Sequence, residues 1–166
     1  MVGRQGLHRE VLVSAFERAG AFDVRSHLAT GNVSFECESW EAAATIRAAA
    51  EAEIAAVIGR DEPVILRSQL QLVALLESDP FAEYNPDAFT AEITFLDDRA
   101  GDMDATLFDQ VAGLGVVQMS RQELLTVQRR GERALHPLPV VEKLTGERAT
   151  TRALSTVLRL AGLSHR

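Results

Sequence analysis

A helix, a tight hairpin and a second helix follow one another twice along this 166-residue chain, and that repeat constrains the fold more than any other feature. In the first copy, residues 7–19 put Leu7, Val11, Leu12, Phe16 and Ala19 on one helical stripe, which Gly20 ends. From Asp23 to Cys37 the pattern changes to alternation. Val24, Ser26 and Leu28 alternate with Arg25 and His27, and Val33 and Phe35 answer across Gly31-Asn32, a pair that tolerates the positive φ of a tight turn. Ser39 then predicts the N-cap of an alanine-rich helix reaching Ile58, with Gly59 as its stop. Pro63-Val64-Ile65-Leu66 predicts a short strand.

The second copy is entered through a linking helix. Ser68 and Gln71 have capping-box spacing, and Pro80 forbids continuation much past Ser78. An irregular aromatic loop follows, from Asp79 to Phe89, and then a strand over Glu92–Leu96. Asp102 reads as the cap of a helix carrying Met103, Leu107, Phe108 and Val111, stopped by Gly113. Val116–Ser120 and Glu123–Val127 predict a hairpin over Arg121-Gln122. A basic loop, Arg129 to Arg133, leads to a helix over about Val140–Leu144. Thr150 or Thr151 caps the last helix, which buries Leu154, Val157, Leu158 and Ala161.

Written as elements, the first half is α-β-β-α-β and the second is β-α-β-β-α-α. The fold class expected is therefore α+β, built of two ferredoxin-like halves of the βαββαβ type. The first half lacks its opening strand, and the second has helix where its closing strand belongs. The divisions expected are 1–67 for the first half, 68–90 for the linking helix and aromatic loop, and 91–166 for the second half. A missing opening strand would leave a central position unpaired. A start placed too far downstream, or a truncated chain, accounts for it.

Charge narrows the partners. The net charge is −7, and residues 1–117 carry 8 basic and 20 acidic side chains against 9 and 4 in residues 118–166. An acidic body repels phosphate backbones, and the strands Arg25–Ala29 and Val33–Cys37 offer no exposed aromatic pair for base stacking, so nucleic-acid binding is disfavoured. The lone Cys37 makes no internal disulfide, the four histidines lack metal-ligand spacing, and no cofactor is expected. No apolar run is long enough to span a bilayer, so the expectation is a soluble cytoplasmic protein.

The residues just described resemble the bacterial family called domain of unknown function 1697. The likeness rests on Val2-Gly3, on Asp23-Val24-Arg25 leading to Thr30-Gly31-Asn32-Val33-Ser34-Phe35, and on Asp79-Pro80-Phe81. It continues through Thr94-Phe95-Leu96 and Arg121-Gln122-Glu123 to Ala149-Thr150-Thr151-Arg152 and Thr156-Val157. The resemblance implies an α+β fold of ferredoxin-like halves and a longer N-terminal motif, Arg-Gly-Ile-Asn-Val-Gly, of which Val-Gly remains. It implies no activity. The chain departs from the family's Thr-Thr-Arg-Asn-Trp-Asn-Thr near its end, where Ala153-Leu154-Ser155 stand in place of two amides and an indole.

Two places suit a small anionic or polar ligand. Thr150-Thr151-Arg152, at the expected start of the last helix, would add hydroxyls and a guanidinium to free N–H donors. The plainer reading is an ordinary threonine cap beside a solvated arginine. Thr30-Gly31-Asn32 would offer turn amides and an asparagine side chain, or be only a hairpin turn. Arg25 and His27 share a strand face that lines a groove or meets solvent, with solvent favoured. Asp97-Asp98 is read as a solvated turn, and no catalytic constellation is recognisable. The leading expectation is a non-catalytic ligand-binding module. An enzyme acting on a phosphorylated or carboxylated metabolite, and an interaction or homo-oligomerisation module, are the alternatives.

Overall fold

The computed structural model describes residues 8–27, 31–108, 111–132 and 135–163, and the chain divides into two units, residues 1–64 and residues 65–166. Among the described residues the architecture is mixed helix and sheet, with five α-helices and two antiparallel sheets. The expected missing opening strand lies outside the described residues, as do Val2-Gly3 and Thr30.

In the first unit, α1 (Arg9–Arg18) precedes a hairpin of β1 (Phe22–His27) and β2 (Asn32–Glu36), and α2 spans Trp40–Ile58. The Ser39 hydroxyl accepts from Ala42 N–H at 3.1 Å, and Gly59 closes α2 in the left-handed conformation, as the sequence predicts. Phe16 from α1 and Ile46 and Ala50 from α2 form a core against Val33 and Phe35, with the Phe16 and Phe35 rings 5.3 Å apart. The expected strand at Pro63–Leu66 is absent. The Val64 N–H goes to the Glu51 carboxylate at 2.8 Å, and the Leu66 N–H to Asp98 Oδ1 at 3.3 Å. A strand exists only through a partner, and side chains have taken both of these donors.

The second unit opens with α3 (Gln69–Glu77), whose Ser68–Gln71 capping box is fully formed. It continues through β3 (Phe89–Leu96), a single 3-10 turn (Ala105–Leu107), β4 (Val116–Met119) and β5 (Glu123–Arg129). Then come α4 (Pro137–Thr145), β6 (Ala149–Ala153) and α5 (Leu154–Leu160). The strand order is β4-β5-β3-β6, antiparallel throughout, with β3 central.

Two expectations fail here, each for a local reason. The helix expected from Asp102 is reduced to the 3-10 turn. The Asp104 carboxylate accepts from both the N–H and the hydroxyl of Thr106, at 2.9 and 2.7 Å, and the Met103 N–H is tied to the Arg121 carbonyl. Side-chain closure of this kind competes with helix propagation. The closing strand expected to be replaced by helix is present as β6. Its Ala-Thr-Thr-Arg-Ala sequence shows no apolar alternation, and it is a strand because β3 pairs with it.

Both faces of this sheet are covered. Ile93, Phe95, Leu125 and Val127 pack with Leu72 of α3, Val157 of α5 and Phe81 of the aromatic loop. On the other face Leu96 and Leu124 pack with Val141 of α4 and with Met103, Phe108 and Leu114. One arginine ties the unit's entrance to the sheet. Arg67 is 8% exposed, and its Nε meets Glu123 Oε1 at 2.6 Å. Its Nη1 donates to the Leu66 carbonyl at 2.7 Å, and Nη2 to those of Leu96 and Gln122 at 2.9 and 3.2 Å.

Candidate functional site

The first unit carries an open hollow of about 540 Å³ between α1 and β1. Its helix side is Arg9, Glu10, Val13 and Ser14, one flank of α1 at helical spacing. Its strand side is Val24, Arg25, Ser26 and His27, four consecutive residues. Successive strand residues point to opposite faces, so a hollow lined by all four runs along the margin of β1 rather than over one face. The other margin of β1 is paired with β2.

The lining concentrates positive charge. Residues 1–117 hold eight basic side chains, and two of them, Arg9 and Arg25, line this hollow with His27, against the single carboxylate of Glu10. Arg25 is held by Asp23, its Nη2 lying 2.7 Å from Oδ2. Asp23 has φ +46° at the point where the β1–β2 register shifts, and this bulge fixes the residue that orients Arg25. His27 Nε2 lies 2.7 Å from Ser34 Oγ. The Arg9 and Glu10 side chains make no hydrogen bond or ion pair among the described residues. Two guanidinium groups, an imidazole and two serine hydroxyls are the functional groups that suit a phosphate or carboxylate.

Arg25 and His27 thus line an open hollow, and Arg25 meets solvent as expected, its side chain 67% exposed. Arg9 and Ser14 escaped the sequence reading altogether. Nothing in the α1 sequence separates them from ordinary helix surface, and only the packing of α1 beside β1 brings them to the hollow.

The helix start expected at Thr150, Thr151 and Arg152 is corrected. Thr150, Thr151 and Arg152 do not start a helix. They lie in β6, opposite Phe95, Thr94 and Ile93. The last helix begins after Ala153 without a side-chain cap, so neither threonine caps it. Arg152 Nη1 donates to the Thr150 hydroxyl and, at 2.9 Å, to the Thr151 carbonyl. Burial lowers the pKa of Arg152, because its charged form has lost solvent. The Thr151 and Thr94 hydroxyls share a 2.7 Å hydrogen bond.

Of the expected turn site, Gly31 is exposed with φ +80°, and Asn32 opens β2 and is buried at 8% exposure. This turn belongs to the first unit and Thr150–Arg152 to the second.

Other candidates have structural partners. The turn expected at Asp97-Asp98 is present, but Asp97 is buried in it rather than solvated and pairs with Arg99 Nη2 at 2.5 Å. Arg129 stacks over the Phe89 ring at 5.3 Å, and Arg130 Nε donates to the Pro86 carbonyl at 3.0 Å, while Arg133 lies outside the described residues. The Cys37 Sγ donates to the Ser39 carbonyl at 3.3 Å. Among the described residues no group of three or more His, Cys, Asp or Glu side chains is arranged to hold a metal, and no helix is long and apolar enough to cross a membrane.

Residues 1–123 match a family model described as "Protein of unknown function (DUF1697)". No curated protein and no solved structure matches the chain.

Proposed function

We propose, from the premise that the chain belongs to the DUF1697 family of proteins of unknown function, that it is a non-catalytic module binding a small anionic ligand. The observation that carries this reading is the α1–β1 hollow, where Arg9, Arg25 and His27 gather in an otherwise acidic segment. Arg9 supports it best, because among the described residues its guanidinium has no bond to give up before it meets a ligand. A phosphate or carboxylate would take hydrogen bonds from Arg9, Ser14 and His27, with Arg25 held ready by Asp23.

The Thr150-Thr151-Arg152 strand is a second place for the same chemistry. A bound anion there would offset the desolvation that lowers the Arg152 pKa. The order β6-β3-β5-β4, with crossovers between β3 and β4 and between β5 and β6, supports reading the second unit as ferredoxin-like. In this reading the 3-10 turn occupies the place of its first helix.

The test is thermal unfolding with inorganic phosphate, phosphorylated sugars and dicarboxylates. A ligand at 100 times its dissociation constant adds about 2.7 kcal/mol, a shift of several degrees at this size. The expected result is a shift that Arg9→Glu abolishes and that Arg152→Ala leaves in place. Loss in Arg152→Ala alone moves the site to β6, and the same shift in every variant refutes the reading.

A further inference from the structure

Glu92 and Thr126 face each other across the central pair of strands of the second unit, β3 and β5. Side chains directly opposite in an antiparallel pair stand about 5 Å apart at Cβ. Thr126 is fully buried, and its hydroxyl has no hydrogen-bond partner. The Glu92 Oε2 is buried as well and also has none. These two orphaned atoms belong to side chains opposite each other on one face of one sheet, so a single small group placed between them would serve both.

Glu92 is an exception among the described carboxylates of its unit. The others that are not exposed all have a donor. Asp97 has Arg99, Asp98 has the Leu66 N–H, Glu123 has Arg67, and Glu142 has the Ala149 N–H. A carboxylate taken from water is costly unless a positive charge or several donors meet it. Glu92 is half-buried, and among the described residues its Oε2 has no hydrogen-bond partner.

The surroundings say what would. On the same face, two residues along β3, stands Thr94, fully buried and sharing its hydrogen bond with Thr151. A hydroxyl pair joined by one hydrogen bond still has lone pairs to offer. On the other side of Glu92 the cross-strand residue is Ala153, whose single methyl occupies little of the space beside the carboxylate. The place is therefore rich in oxygen acceptors and carries one negative charge, and among the described residues no basic side chain bonds to Glu92 Oε2. A water molecule would satisfy the hydroxyl and leave the charge unanswered. An anion would be repelled.

We propose that Glu92 and Thr126 bind the primary ammonium group of a small amine. One nitrogen supplies the positive charge for the Glu92 carboxylate, and its three N–H donors serve Glu92 Oε2, Thr126 Oγ1 and the Thr94–Thr151 pair. This site lies in the second unit and is independent of the anion hollow in the first.

Methylammonium chloride is the probe, added to the whole chain at constant ionic strength. Thermal unfolding and the NMR shift of the Thr126 methyl are followed together. Methylammonium raises the melting temperature and moves the Thr126 methyl in a saturable way. Tetramethylammonium, which has the charge and no N–H donor, does neither. Glu92→Gln, which keeps the shape and removes the charge, weakens methylammonium binding by roughly tenfold or more. An equal response to potassium or sodium chloride would show a simple cation site and overturn the amine assignment. No response of the Thr126 methyl to any of these salts would show that water alone fills the place, and would overturn the proposal without recourse to a variant.

Discussion

Replacing Arg67 by methionine is expected to cost about 3 kcal/mol of stability, and the structure supplies the reasons for that size. The guanidinium is 8% exposed and its partner carboxylate, Glu123, 17% exposed, so the pair is close to fully desolvated. Removing one member of a buried pair costs roughly 3–5 kcal/mol, chiefly through the charge left behind. The Ser120 hydroxyl also donates to Glu123 and keeps the loss near the lower end. The Gln122 carbonyl retains the Leu96 N–H at 2.8 Å, whereas the Leu66 and Leu96 carbonyls lose the arginine as donor. Contact with the Phe95 ring, 5.4 Å from the guanidinium carbon, is partly kept by the methionine thioether. Urea unfolding followed by far-ultraviolet circular dichroism measures the difference, and the melting temperature should fall by roughly 10 °C. The double variant Arg67→Met with Glu123→Leu should recover most of the loss, because an apolar pair of similar volume pays no desolvation. A loss below about 1 kcal/mol, or a double variant less stable than the single one, would refute the assignment of Arg67 as a buried clamp.

Three further outcomes are expected. Gly115→Ala should destabilise by roughly 3 kcal/mol or more in chemical unfolding, since its Cβ would lie 2.1 Å from the Val127 carbonyl oxygen at a backbone φ of +60°; near-neutral behaviour would contradict that close approach. Ser68→Ala should cost about 1 kcal/mol by dismantling the capping box of α3, and the same assay reads it. The Glu41 carboxyl is held below its ordinary pKa by the backbone N–H and then by the Ser39 hydroxyl, and the Asp104 carboxyl by the Thr106 hydroxyl and then its N–H. Their contribution to stability is thus present above the ordinary carboxylate range and is lost as pH falls through their lowered values. Carboxylate NMR titration checks this, and either group titrating at or above its ordinary pKa would contradict it.

What the sequence made legible was whatever is decided within a few residues. Ser39 and Gly59 bracket α2 because capping and left-handed closure are local acts, and Ser68 with Gln71 fixes α3 for the same reason. The two hairpins were legible from alternation around short turns. β6 was not. Consecutive threonines read as a helix cap, and they become a strand only because β3 lies beside them. Pro63–Leu66 is the converse, a sequence apt for a strand whose N–H groups at Val64 and Leu66 went to carboxylates instead. The candidate site divides along the same line. Arg25 and His27 were visible as one strand face, but the hollow needs Arg9 and Ser14 from α1, and the helix flank that meets a strand margin is not written in either element alone.

The place of β6 has a consequence for the order in which the molecule forms. Thr94 and Thr151, bonded to each other across β3 and β6, are 57 residues apart in the chain. β5, the other neighbour of β3, is synthesised well before β6. At roughly 5–20 residues per second, a ribosome leaves one flank of β3 bare for on the order of several seconds after the strand has emerged. A bare flank of that kind is a template for pairing with a stranger. The same short strand that carries Arg152 therefore also ends the interval in which a nascent chain is most open to aggregation.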